Sequence, residues 1–252
     1  MSRSVKYYGW RPDVPDHRDF HYGAVLHAAE QLPIPDQIDL RPLMPPVQDQ
    51  GDIGSCTAHA TVAVLEHNMI VQQRPFSSRS RLFAYFNARA AEGAESGDNG
   101  ATLRDMVSSL ASTGICDEDL WPYDVSQVLT KPVDTCYTAA SPNKIRLYAR
   151  LNSLDDMLVC LAAGFPFIFG FTVYEKFESD EVAQSGILSI PTLDEASVGG
   201  HAVCAVGYDR TKNMLLVRNS WGPAWGQQGY FWMPFAYATN RNLSDDFWTI
   251  RL

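Results

Sequence analysis

The 252-residue sequence has no run of 18 or more uninterrupted apolar residues, so no membrane-spanning helix is predicted. It has no CxxC pair and no Cys/His spacing of the kind zinc sites use, so no metal is expected, and no motif asks for a cofactor. Five cysteines are too few for a disulfide scaffold, and the odd count leaves at least one thiol free unless it pairs between chains. A basic stripe is also lacking. The formal net charge is −9, which argues against a nucleic-acid partner and speaks for solubility rather than for any particular ligand. Internal repeats and low-complexity tracts are absent. The opening MSRSVKYYGWRPDVPDHRD lacks the apolar core of a secretory signal, so the default expectation is a cytoplasmic location, with export by another route left open. The Gly-rich stretch EGAESGDNGA has no following Gly-Lys-Ser/Thr, which leaves a phosphate cradle unsupported.

What is present suffices for one large domain or two packed lobes, since 46% of the residues are hydrophobic. Residues 1–31 are rich in Asp, Pro, Tyr and His and show no sustained period, so they read as an irregular, extended arm. Pro33, Pro35, Pro42, Pro45 and Pro46 keep the next stretch extended. A long helical pattern opens at Ser55 or Cys56, with Ser55 as its N-cap. Further helices are expected over 79–93, 102–114 and 153–164, ending at Gly93, Gly114 and Gly164. After residue 164 the segments FPFIFGFTVY, HAVCAVGYD, MLLVRNSW, GYFWMPFAYA and DFWTIRL read as strands. Helices followed by strands indicate an α+β chain. We expect a helical lobe over about 45–140 and a β-rich lobe over about 141–252, with a cleft between them.

The stretch QDQGDIGSCTA (48–58) places Gln50 and Cys56 around small, flexible residues just before a helix. A thiol becomes a useful nucleophile when a helix N-terminus favours the thiolate and an imidazole can hold its proton. Cys56 meets the first condition. His201, after Gly199 and Gly200 at the mouth of an apolar strand, is the candidate for the second. Asn219 at the end of MLLVRNSW can orient that imidazole, and Trp221 can shield the bond between them. The Gln50 amide and the Cys56 N–H could form an oxyanion hole.

These segments resemble the papain-like cysteine peptidases. LPIPDQIDLRPLMPPVQDQGDIGSC is similar to the family's mature start and nucleophile segment, and GGHAVCAVGYD to its histidine segment. VRNSWGPAWGQQGYFWM is similar to its asparagine segment, and TGICDEDLWPYD to the connection after its third helix. The resemblance spans residues 32 to about 250. It implies a two-lobed fold over 32–252 that hydrolyses peptide or protein substrates through an acyl-enzyme. In that reading Cys56 is the nucleophile, His201 the base and then acid, Asn219 the orienter and Gln50 an oxyanion donor. It further implies substrate-backbone contacts at Gly100 or Ala101, within SGDNGATL, and at Gly200. The sequence also departs from the family. Thr57 replaces an aromatic residue, and Ile53 and Asp98 stand where the family has a disulfide. Only 31 residues precede the mature-like start, in place of a long helical pro-segment.

The arm segment YYGWRPDVPDHRDFHY is aromatic enough to pack on the catalytic domain, either over the cleft as a short inhibitor or elsewhere for stability. His59 and His67, on the Cys56 helix, read as packed or solvated, and His17, His21 and His27 as surface residues. Cys160 and Cys204 read as core, and Cys116 and Cys136 could pair across their loop. Asp49 and Asp52 read as solvated, and the Asn242–Ser244 sequon carries no weight without a signal. Two rivals to the endopeptidase reading stay open: an idle peptide-binding module on the same fold, and a Cys-dependent acyl transferase or deamidase.

Overall fold

The computed structural model of the chain describes residues 8–25 and 34–252, so the expectation for His27 lies outside the described residues. Eight α-helices are found among them: α1 (Tyr22–Val25), α2 (Cys56–Val71), α3 (Arg81–Ala91), α4 (Leu103–Ser112), α5 (Asp134–Ala140), α6 (Leu154–Ala162), α7 (Asp180–Ser185) and α8 (Phe235–Ala238). The expected helices form, and their ends follow local chemistry. The hydroxyls of Ser80, Thr102 and Ser153 accept from Phe83 N, Asp105 N and Asp156 N and cap α3, α4 and α6. Gly164 stops α6 in the left-handed region (φ 85°). Ser55 stands at the N-cap of α2 without capping it. Its hydroxyl is drawn instead to Tyr123 and His59. Helix α2 is buried on nearly every face, so it is a central core helix and not an amphipathic one.

The strands are β1 (Gln37–Asp39), β2 (Leu147–Arg150), β3 (Phe167–Tyr174), β4 (Ser197–Asp209), β5 (Met214–Arg218), β6 (Tyr230–Pro234) and β7 (Ser244–Arg251). They form an antiparallel sheet in the order β2-β7-β3-β4-β5-β6, with β1 also paired to β4. Side chains alternate between faces, and the two faces bury different cores. Ile168, Ala202, Cys204 and Val206 join α2, α3 and α4. Phe167, Phe169, Phe171, Val203 and Ala205 join α6 on the other side. This is an α+β, papain-like two-lobed arrangement, as expected. It puts the N-terminus of α2 against β4, where the two lobes meet.

All five thiols are free and buried, Cys160 and Cys204 in the core as expected. Cys116 and Cys136 do not pair, although the two thiols interact closely enough for burial and that interaction to push Cys116 up to about 12. Among the described residues no helix is long and apolar enough to cross a membrane, and no group of three or more His, Cys, Asp or Glu side chains could hold a metal ion.

Candidate active site

Cys56 is the first residue of α2, and the loop before it is held from several sides. Gln50 N donates to Ser220 O at 2.9 Å, and Tyr123 Oη donates to Gln50 O at 2.8 Å. Gly54 N donates to both carboxylate oxygens of Asp98 at 3.1 Å, and Tyr85 Oη donates to the same carboxylate. Asp98 thus anchors the nucleophile loop at the place where the sequence lacks the family disulfide. The Cys56 sulfur accepts from Ala202 N at 3.4 Å, which brings it beside His201 on β4.

His201 Nε2 donates to Asn219 Oδ1 at 2.8 Å, and Ser220 N donates to the same oxygen at 2.8 Å. That acceptor fixes the proton on Nε2 and makes Nδ1 the basic nitrogen. The Trp221 ring covers the imidazole at 5.2 Å between centroids, with Phe171 and Phe177 on other sides. Gln50 is fully buried. Its Oε1 accepts from Ser220 Oγ at 2.6 Å and its Nε2 donates to Ile53 O at 3.0 Å. This orients the amide and commits one of its two N–H bonds. The second can join the Cys56 N–H at the end of α2. Cys56, His201, Asn219, Trp221 and Gln50 therefore converge.

The arm runs through this site. The main chain of Trp10 donates to Gly200 O at 3.0 Å, Ala101 N donates to Gly9 O at 2.9 Å, and Arg11 N donates to Ala101 O at 3.3 Å. Gly200 and Ala101, two of the expected substrate-backbone contacts, are thus occupied by the arm. Gly100 is not used in this way, because its N–H goes to Tyr85 Oη at 3.1 Å. Gly100 instead gives room, since a Cβ there would collide with the Gly9 carbonyl. Gly9 lies on Gly54 so closely that any Cβ would overlap the Gly54 carbonyl. Its N–H faces the Cys56 thiol.

Burial under this cover pushes the Cys56 thiol up to about 11, against the downward pull of the Ala202, Gly9, Thr57 and Cys56 N–H groups. The expectation of a thiolate favoured by the helix end is therefore not met while the arm is docked, because desolvation outweighs the donors. His59 is buried beside Ser55, and burial pushes it down to about 3; His67 is buried and lowered as well. Both are packed residues. His17 and His21 are exposed, and so are Asp49 and Asp52.

The sequence reading missed several residues here: Ser220, Tyr123 and Tyr85 as supports, and Phe177, Glu178 and Asp246 around the arm. Ser220, inside the NSWG motif, and Tyr123, inside the TGICDEDLWPYD segment, carried local signals.

A family model described as papain family cysteine protease matches residues 34–246. Xylellain, a cysteine protease from Xylella fastidiosa, is 39% identical with a TM-score of 0.89, covering 100% of this chain and 98% of its own. The bromelain protease from Ananas comosus shares the fold at 22% identity and a TM-score of 0.68, covering 87% of this chain and 100% of its own. An uncharacterized peptidase C1-like protein of Acanthamoeba polyphaga mimivirus is 40% identical over 213 residues, or 81% of this chain and 68% of that protein. The cathepsin B-like CP3 of Giardia intestinalis is 31% identical over 215 residues, or 78% of this chain and 68% of that protein.

Proposed function

Because the chain belongs to the papain family of cysteine proteases, we propose that it is a thiol endopeptidase whose arm holds the catalytic centre in a resting state. The observation that carries the reading is the His201–Asn219 bond at 2.8 Å beneath Trp221, next to a cysteine whose sulfur already contacts Ala202 N.

The chemistry follows from these groups. With the arm displaced, His201 Nδ1 takes the Cys56 proton and the sulfur attacks a peptide carbonyl carbon. The Cys56 and Gln50 N–H groups receive the oxyanion. The C–N bond breaks as His201 returns the proton to the leaving amine. His201 then takes a proton from water, the hydroxide attacks the thioester, and the S–C bond breaks to release the acid. Asn219 holds the imidazole through both proton transfers, and Trp221 keeps water off that bond.

The test is hydrolysis of unstructured protein substrates by the intact chain, followed by product mass, with Cys56→Ala as control. Internal backbone cuts that vanish in Cys56→Ala support the reading. Glutamine deamidation or cross-linking without cuts would favour acyl transfer. Peptide binding without turnover, including in a chain whose arm is released, would favour an idle module.

A further inference from the structure

His59 lies one turn beyond Cys56 on α2, and its ring stands edge-on to Tyr123 with the centroids 4.8 Å apart. The hydrogen bonds around it fix its tautomer. Tyr123 Oη gives its one proton to the Gln50 carbonyl at 2.8 Å, so the 2.5 Å contact between Tyr123 Oη and Ser55 Oγ uses the Ser55 proton. His59 Nδ1 contacts Ser55 O at 3.2 Å and Ser55 Oγ at 3.3 Å, both acceptors once that proton is spent. Nδ1 therefore carries the hydrogen. Burial keeps the ring neutral, so Nε2 holds a lone pair.

That lone pair finds no donor in the protein, and two more buried groups around it are in the same condition. One is the Nε–H of Arg81, whose Nη atoms hold Glu66, Ser78 and the Arg79 carbonyl. The other is Nδ2 of Asn219, whose Oδ1 is taken by His201 and Ser220. His59, Arg81 and Asn219 all line one cavity of about 10 Å³ where the lobes meet, with Ser220 and Arg218 also on its wall. That volume holds one water. One water also matches the three groups: it donates to His59 Nε2 and accepts from Arg81 Nε and Asn219 Nδ2. An ion does not, since a cation would meet Arg81 and Arg218, and an anion would meet the His59 lone pair.

We propose that a water held by His59, Arg81 and Asn219 is a fixed part of the catalytic centre, and that His59 is through it a positioning residue for His201. The Asn219 amide serves the imidazole only with Oδ1 forward. A water that accepts from Nδ2 holds the amide in that sense from behind. The hydrogen bonds then run in one direction, each group donating to the next: His201 to Asn219, Asn219 to the water, the water to His59, His59 to Ser55, Ser55 to Tyr123 and Tyr123 to the Gln50 carbonyl. Bonds aligned in this way reinforce one another. The chain joins the base on β4 to the loop that carries the oxyanion donor Gln50. The positioning role rests on the peptidase reading; the water site does not.

The water is tested in a high-resolution crystal structure of the full chain carrying Cys56→Ala. A water within hydrogen-bond distance of His59 Nε2, Arg81 Nε and Asn219 Nδ2 is expected. A dry cavity, or a water out of reach of Asn219, overturns the proposal whatever the variants below do. The positioning role is read by NMR, as the exchange rate of the His201 Nε2 proton with solvent in the full chain. His59→Phe removes the acceptor, and this exchange should quicken about tenfold while the buried backbone amide of Ala205 on β4 keeps its rate. His59→Gln, which can place Oε1 where Nε2 was, should restore most of the slow exchange. An unchanged rate in His59→Phe, equal quickening in both variants, or quickening at Ala205 as well would make His59 a packed residue and overturn its positioning role. Neither measurement needs turnover. If the chain with Cys56 intact cuts no peptide, the peptidase reading fails and the water site is still decided by the crystal.

Discussion

Arg150 on β2 and Asp13 on the arm meet at 2.6 Å, Nη2 to Oδ2, across 137 positions of sequence. The bond belongs to a network that ties the arm to the sheet. Arg150 also reaches Asp19 and Asp246, each at 3.0 Å, while Arg104 grips Asp19 with two nitrogens, at 2.9 and 2.6 Å. Both arginines lie over the Trp248 ring, at 4.4 Å for Arg150 and 5.9 Å for Arg104. The arm is therefore docked at two places: by main-chain pairing at Gly9–Arg11, and by paired charges at Asp13 and Asp19.

The charged half can be tested from the arm side alone. Asp13→Asn with Asp19→Asn removes the two arm carboxylates that pair with these arginines, and leaves Arg150 with Asp246 alone. The pairs are mostly buried, so the loss should weaken docking by about 2 kcal/mol or more. Alkylation of Cys56 by iodoacetamide, followed by peptide mass, should accelerate at least tenfold over the unmodified chain. An unchanged rate would show that the charges do not hold the cover on the thiol.

The main-chain half can be tested at one atom. Gly9→Ala adds a Cβ where the Gly54 carbonyl already lies, and backbone cannot move aside as a flexible side chain would. The arm should lift from Cys56, so alkylation should speed up and peptide turnover should rise. The melting temperature should fall only by the arm's own contribution, because Gly9 makes no contact inside the catalytic lobes beyond this docking. Slower turnover than in the unmodified chain would contradict the view of the arm as a cover.

The catalytic set was legible in the sequence because each member lies within a local pattern: Cys56 after small residues at a helix start, His201 after two glycines, and Asn219 before Ser-Trp-Gly. Helix ends and most later strands were legible for the same reason, through caps, glycines and β-branched runs, but the expected strand GYFWMPFAYA ends at Pro234 and continues as helix α8, and β1 and β2 were not expected. Asp246 and Glu178 were not, since their partners Trp10 and Tyr8 are 236 and 170 positions away and only the fold brings them together. The choice between Gly100 and Ala101 also needed the structure. Both lie in one loop, and only the direction of their N–H groups separates them. The high thiol value of Cys56 follows from a cover that no short-range pattern announces.

Asp98 gives a prediction about support rather than chemistry. Its carboxylate accepts from Gly54 N and Tyr85 Oη, and Tyr85 in turn accepts from Gly100 N. Asp98→Ala leaves these groups without their acceptor beneath the nucleophile loop. The cost should be about 1–3 kcal/mol of stability, read as a lower melting temperature. Turnover per labelled Cys56 should also fall, because the loop that carries Gln50 loses its anchor. Asp98→Asn, which keeps an acceptor oxygen, should recover most of both. If Asp98→Ala melts like the unmodified chain, the loop is held by other means.

The pH dependence of arm docking follows from two carboxylates that move in opposite directions. Burial first, and then the charge of Asp13, raise Asp246 to about 6 in the docked chain. Undocking removes Asp13 and part of that burial, so Asp246 falls back toward its ordinary value. Docking therefore takes up a proton in this range. Its favourable contribution is fully present at low pH and is lost as pH rises through about 6. Burial pushes Asp19 up too, but the bonds and charges of Arg104 and Arg150 outweigh it and hold Asp19 below its ordinary value. The Asp19 contribution is present above that ordinary value and is lost only in stronger acid. The arm should thus dock most tightly near the ordinary carboxylate range, loosen by up to about tenfold per pH unit as the pH rises toward about 6, and change little from this source above it. The Trp10 indole N–H resonance in Cys56→Ala, followed from pH 4.5 to 7.5, reports the docked fraction directly. Asp246→Asn should remove the loosening and so separate it from the Asp105–Glu92 pair, which meets the arm at Arg11. A docked fraction that rises toward neutral pH would reverse the sign and rule out Asp246 as its source.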